Sequence, residues 1–218
     1  MIEILGERAR ALAASGRVLV GVAGPPGSGK STLARELAAH LVATGTPAVV
    51  VPMDGFHLGP DDLAEQGLAD VKGAPETFDR EGLARLLGDI REARRSAVRA
   101  PEYDRELHAV VPRRIAVPPQ IRVVIAEGNY LGIPGWEDVR RHLDELWHLD
   151  VPWAVCRERL VARRVATGRE ADAAVAWVDR VDAANARLVA AALDSADVVV
   201  DGASLVREGE GTSAGPGH

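Results

Sequence analysis

The octapeptide Gly24-Pro25-Pro26-Gly27-Ser28-Gly29-Lys30-Ser31 constrains this chain more than any other stretch, because it fills the pattern G-x-x-x-x-G-K-[ST] at every position. Its flanks fit as well. Val18 to Ala23 is a short apolar run suited to a parallel strand covered on both faces, and residues 30–44 read as a helix. A glycine-rich turn in that setting lets backbone N–H groups ring a phosphate while the helix directs its positive N-terminus at the same anion. Gly24, Gly27, Ser28 and Gly29 would form the cradle, Lys30 would neutralise the β- and γ-phosphates, Ser31 would offer its hydroxyl to Mg²⁺, and Thr32 another toward the α-phosphate. The bland alternative is a turn that only joins strand to helix. ATP and Mg²⁺ are thus the expected ligands, although GTPases, motors and kinases share this loop.

The rest of the chain repeats the strand–helix alternation. Buried-strand signals recur at residues 47–53, 121–126, 145–150 and 196–200, with helical stretches at 2–15, 80–96 and 153–166. The expectation is an α/β P-loop NTPase fold: a five-stranded parallel sheet flanked by helices, with an acceptor-binding insertion and a helical arginine lid. Residues 60–79, rich in turn formers and charge, mark either a mobile surface loop or a substrate-binding excursion, and residues 103–118 hold a short hairpin. No Pro/Gly-rich linker divides the chain, so residues 1–205 read as one domain, followed by a disordered tail over 206–218.

Composition excludes several classes. A net charge of −6 gives no general attraction to nucleic acid, so a nucleic-acid partner is not expected and any anion site must be local. No apolar run approaches the roughly 18 residues of a membrane span, and no membrane partner is expected. The single cysteine, Cys156, reads as a buried small hydrophobe, and a free thiol suits the cytoplasm. Oligomeric state is unreadable.

Two carboxylates stand at predicted strand ends, the edge where open α/β sheets bind ligands. Asp54, with His57 close behind it, follows the second strand and could take the proton of an acceptor hydroxyl, leaving His57 to bind the acceptor; a turn and a structural histidine are the alternatives. Glu127 follows the third strand, where an acid could hold Mg²⁺ beside Ser31.

Together with the P-loop, Met53-Asp54-Gly55-Phe56-His57-Leu58, Lys72-Gly73-Ala74-Pro75-Glu76-Thr77-Phe78-Asp79 and Glu127-Gly128-Asn129-Tyr130-Leu131 resemble, in order, the uridine kinase, phosphoribulokinase and bacterial pantothenate kinase superfamily. The likeness spans residues 17–202 and is greatest to its nucleoside/nucleotide kinase-like (fructose kinase-like) branch. That resemblance implies a kinase in which Asp54 is the catalytic base, Ser31 and Glu127 serve the metal, and the segment from Lys72 to Asp79 lies over the acceptor pocket, with Glu127 bordering the substrate. It also implies acceptor contacts from Tyr103 and Arg105, and a place near the nucleotide base for the segment holding Asp182 and Asn185.

Arg157, Arg159, Arg163, Arg164 and Arg169 crowd one predicted helix and its end. Arg159 and Arg163 share a face by their i,i+4 spacing and would brace the γ-phosphoryl group, Arg163 foremost; a solvated face paired with Glu158 and Glu170 is the alternative. The stretch is similar to uridine kinase lids but differs in spacing and lacks their Arg-Asp pair. The function expected is transfer of the γ-phosphate of ATP to a hydroxyl of a nucleoside, pantothenate-like or sugar acceptor. A nucleotide-dependent switch or simple ATPase working with a protein partner is the alternative.

Overall fold

In the computed structural model, residues 1–202 are described, except 94, 105 and 108. Helix α1 (Ile2–Leu12) turns its Leu5 and Ala9 inward, and a 3-10 turn over Ala13–Ser15 tightens its end before Gly16. The apolar run that follows is strand β1 (Val18–Ala23), buried at all six positions, and the glycine loop leads into α2 (Lys30–Ala43). Strand β2 (Ala48–Pro52) stops one residue short of the expected 47–53, because Met53 opens a 3-10 turn over Met53–Phe56.

Residues 60–79 are more regular than their composition suggests. They hold helix α3 (Pro60–Glu65) and 3-10 turns at Ala69–Val71 and Pro75–Thr77, before α4 (Arg80–Glu92), which ends four residues earlier than expected. The hairpin is larger than the 103–118 estimate, with arms β3 (Val98–Asp104) and β4 (Ala109–Val117). Pro101 hides the first arm from a strand reading, since a proline demotes a run, and the pairing register shifts between Ala100 and Glu102, where Pro101 has no N–H to give.

Strand β5 (Val123–Glu127) is buried throughout and extends through Glu127. Helix α5 (Glu137–Arg140), strand β6 (Glu145–Asp150), helices α6 (Trp153–Ala166), α7 (Ala171–Trp177) and α8 (Ala183–Ala190), and strand β7 (Val198–Asp201) complete the described chain. A π-helical turn over Val178–Asp182 separates α7 from α8. The tail over 206–218 lies outside the described residues.

The sheet is five-stranded and parallel in the order β2-β5-β1-β6-β7, as the alternation implied. Alternate side chains feed two cores: Leu19 joins Val124, Leu83, Leu87 and Trp136 on one face, while Val20 joins Leu5, Leu33, Leu37 and Trp147 on the other. Such double-sided burial explains why these strands read as continuous apolar runs. Register then fixes the site, since Val22 and Pro52 both stand opposite Glu127. The chain therefore emerges at one sheet edge three times side by side, as the turn bearing Asp54, as Glu127 and as the glycine loop. Among the described residues no helix is long and apolar enough to cross a membrane.

His148, buried in β6 opposite Ala23, has its pKa lowered by burial, with Asp150 opposing and Lys30 adding to the effect. A base held neutral by the fold must charge in acid. Stability is then lost as pH falls through the ordinary histidine range near ~6.5 toward the depressed folded value. The expected result is a lower thermal midpoint at pH 5 than at pH 7, with His148→Gln narrowing that difference in a pH series of melting curves.

Candidate active site

The glycine loop is held by what packs on it. Gly27 has φ +80°, where an L side chain is strained, and a Cβ there would meet the Cys156 carbonyl oxygen at 2.7 Å, so the start of α6 lies against the cradle. Cys156 itself is buried, and burial pushes its thiol pKa up, as suits a packing residue. Ser31 Oγ donates to Glu127 Oε2 at 3.1 Å, joining the start of α2 to the end of β5. Burial lowers the pKa of the Lys30 ammonium, the carboxylates of Glu127 and Asp54 oppose that shift, and the Arg163 cation adds to it. Lys30, Ser31, Glu127, Asp54 and Arg163 thus share one electrostatic centre.

Two clefts meet at this centre. One, of about 730 Å³, runs between the glycine loop, residues 69–78 and the helices α6 to α8; the other, of about 700 Å³, runs between α2, β2 and the hairpin. Both are lined by Gly27, Lys30, Ser31, Asp54, Glu127 and Arg163, and Tyr103 also borders both. The hairpin can lie so near because residue 55 is glycine: a Cβ there would come within 2.5 Å of the Pro101 carbonyl oxygen.

In the larger cleft the His57 Nδ1–H donates to the Asp54 carbonyl oxygen at 2.9 Å. The His57 ring lies 4.1 Å from Phe78 and 5.3 Å from Tyr103 between centroids, and Lys72 Nζ sits 5.7 Å from the Tyr103 ring centre. His57, Lys72 and Tyr103, distant in sequence, therefore form one wall. Arg105 lies outside the described residues.

The arginines divide by task. Arg159 donates to the Ser28 carbonyl oxygen at 3.3 Å, over the loop, and lines the smaller cleft with Thr32. Arg157 forms a two-pronged pair with Asp179 at 2.6 and 2.8 Å, and Arg164 pairs with Asp182 at 3.2 Å while its guanidinium covers the Trp177 ring at 4.9 Å. The partners are thus acids of the π-helical turn rather than Glu158 and Glu170. Asp182 is buried and its carboxyl pKa is raised by desolvation, against the opposing pull of Arg164 and Arg163. Trp177 and Asp179 were not among the expected site residues; the spacing of Asp179 and Asp182 on a helix facing cationic α6 is the signal that points to them.

Two expected residues hydrogen-bond within the protein, and of these Asn185 lines the larger cleft. Asp79, expected at the acceptor, is exposed and caps α4, accepting from the Gly82 N–H at 2.8 Å, as an acid just before a helix commonly does. Asn185, expected by the nucleotide base, is buried and donates through Nδ2 to the Gly73 carbonyl oxygen at 3.2 Å.

The chemistry of the centre fits Mg²⁺. Ser31 and Glu127 offer oxygen donors in contact, and among the described residues no group of three or more His, Cys, Asp or Glu side chains forms a cage of its own. An ion that prefers oxygen and completes its shell with phosphates and water suits so sparse a donor set.

A family model described as "Phosphoribulokinase / Uridine kinase family" matches residues 19–207. A Schizosaccharomyces pombe protein named "Putative uridine kinase C227.14" is 35% identical over 195 residues, covering 84% of this chain and 83% of that one. A Leifsonia xyli pantothenate kinase is 36% identical over 151 residues, 68% of this chain and 45% of the longer relative. Among solved structures, a "putative fructose transport system kinase" from Silicibacter sp. superposes with a TM-score of 0.83 at 43% identity, covering 92% of this chain and 98% of that one.

Proposed function

The chain belongs to the phosphoribulokinase/uridine kinase family and is a small-molecule kinase, and on that premise we propose that it moves the γ-phosphoryl group of ATP to a hydroxyl of a nucleoside, pantothenate-like or sugar acceptor. The observation that carries the reading is the meeting of two clefts at Lys30, Ser31, Asp54, Glu127 and Arg163. Two substrates that must react need one shared boundary, and a catalytic acid–base group must stand on it.

In this reading the glycine loop and Lys30 hold the phosphates, with Arg159 over the loop at the nucleotide. Ser31 and Glu127 would hold Mg²⁺, which would supply positive charge to offset that of the phosphates. The acceptor lies against His57, Lys72 and Tyr103. Asp54 accepts the hydroxyl proton as that oxygen bonds to the γ-phosphorus; the bond from phosphorus to the β–γ bridging oxygen breaks, and ADP leaves. Arg163 faces the charge that spreads over the transferred group. Asp79 has no part in this scheme.

The test is ADP release by purified protein with Mg-ATP, alone and with uridine, pantothenate or D-fructose. Rapid release that needs one of these alcohols, with the phosphorylated alcohol detected by mass spectrometry, is the expected outcome. Release at one unchanged rate with or without every alcohol would instead favour the ATPase or switch reading.

A further inference from the structure

The segment over 69–78 carries Lys72 to the acceptor cleft; Lys72 and Ala69 are exposed and Gly73 has φ +100°, while Ala74, Thr77 and Phe78 are buried. Gly73 N–H donates to Thr77 Oγ1 at 3.0 Å, Thr77 Oγ1 donates to the Ala74 carbonyl oxygen at 2.7 Å, and the Ala74 and Thr77 amides donate within the segment. At its far end the segment is tied to the 53–58 turn, where Leu58 N–H donates to the Thr77 carbonyl oxygen at 2.9 Å and His57 bridges Phe78. At its middle the Gly73 carbonyl oxygen accepts from two buried side chains at once: the Tyr130 hydroxyl, three residues beyond Glu127, and Asn185 Nδ2 on α8.

Those two donors come from the two bodies that flank the cleft. Tyr130 is fully buried, edge-on to Phe78 at 5.7 Å, so it belongs to the sheet and the aromatic core. Asn185 follows Asp182, which pairs with Arg164 of the arginine helix. A carbonyl oxygen has two lone pairs, and here both are taken by groups whose burial gives them no water as a substitute.

We propose that Asn185 is a positioning residue that, with Tyr130, latches the acceptor-side segment at Gly73 and so sets where Lys72 meets the acceptor. Its amide acts on the acceptor side through the backbone. The latch also runs from Gly73 through Asn185 and Asp182 to Arg164, so the arginine helix and the acceptor wall are fastened to each other. The consequence for turnover rests on the kinase reading given above; the latch itself does not.

The test uses the full chain without substrate. Amide hydrogen exchange over 69–77 is expected to quicken about tenfold in Asn185→Ala and, independently, in Tyr130→Phe, the scale set by loss of one buried hydrogen bond. Exchange in β1 and β5 should stay as in the parent, and calorimetric affinity for Mg-ADP should change less than about twofold. With the alcohol found active in the release assay, KM for that alcohol should rise about five- to tenfold and KM for ATP should hold. Unchanged exchange over 69–77 in both variants, faster exchange spread over the whole sheet in both, or a tenfold loss of Mg-ADP affinity in Asn185→Ala would each overturn the latch. Failure to find any active alcohol bears on the kinase reading alone, because the exchange result stands without it.

Discussion

Asp54→Asn is expected to lower kcat by about a thousandfold while leaving the affinity for Mg-ATP within about twofold, since removing a general base typically costs ~10²- to 10⁴-fold. The substitution keeps size and the 3-10 turn but takes away the carboxylate proposed to take the acceptor proton. Asp54 lines both clefts and bears electrostatically on Lys30 without being one of the residues of the phosphate cradle. Binding of the nucleotide should therefore be separable from transfer. Steady-state kinetics with the active alcohol, beside calorimetric titration of a non-hydrolysable ATP analogue, reads both quantities. A variant that keeps wild-type kcat would remove Asp54 from the chemistry.

Lys30→Met carries the second large effect and differs in kind. It leaves the Asp54 and Glu127 carboxylates facing the phosphates with no ammonium between them, so nucleotide affinity and kcat should fall together, the latter by about 10²- to 10³-fold. Lys30→Arg should not restore them, because a planar fork cannot take the place of a compact point charge on a flexible stem. Stability should move the other way. A lysine whose pKa is lower folded than unfolded opposes folding at neutral pH, where both states would otherwise carry the charge, and methionine of similar length removes that cost. The expected signature is a higher thermal midpoint in an inactive protein, checked by scanning calorimetry without nucleotide. An unchanged or lowered midpoint would show that the buried ammonium is fully compensated by its two carboxylates.

Much of the molecule was legible in the chain because its information is local. Val18–Ala23 followed by the glycine loop and a helix states its own structure, and the parallel sheet follows from the repeated alternation of apolar runs and helices. Asp54 and Glu127 could be placed at one sheet edge because strand ends in such a fold face the same way, and the register of Pro52 and Val22 on Glu127 agrees. What could not be read depends on contacts far apart in sequence. Asp79 was expected at the acceptor by its position in a motif, and the cap its carboxylate gives the adjoining helix appears only with the structure. Asn185 is 112 residues from the Gly73 carbonyl it meets, and no periodicity encodes that meeting. Pro101 concealed a strand, because a proline seated in a register shift is invisible until its partner strand is known.

The π-helical turn over Val178–Asp182 has a consequence for how such lids can vary in length. A π turn holds one more residue than the α turn it replaces, and a plain helix advances about 100° per residue. The extra residue therefore works as a rotary offset: it sets the direction in which everything after it points, independently of what that residue is. Removing one residue there would leave α6 and the glycine loop intact and swing the face of α8 that bears Asn185 away from Gly73. Residue count between Trp177 and Asn185 is thus under geometric constraint even where side-chain identity is free, and a change of length in this stretch calls for a compensating change elsewhere in the acceptor wall.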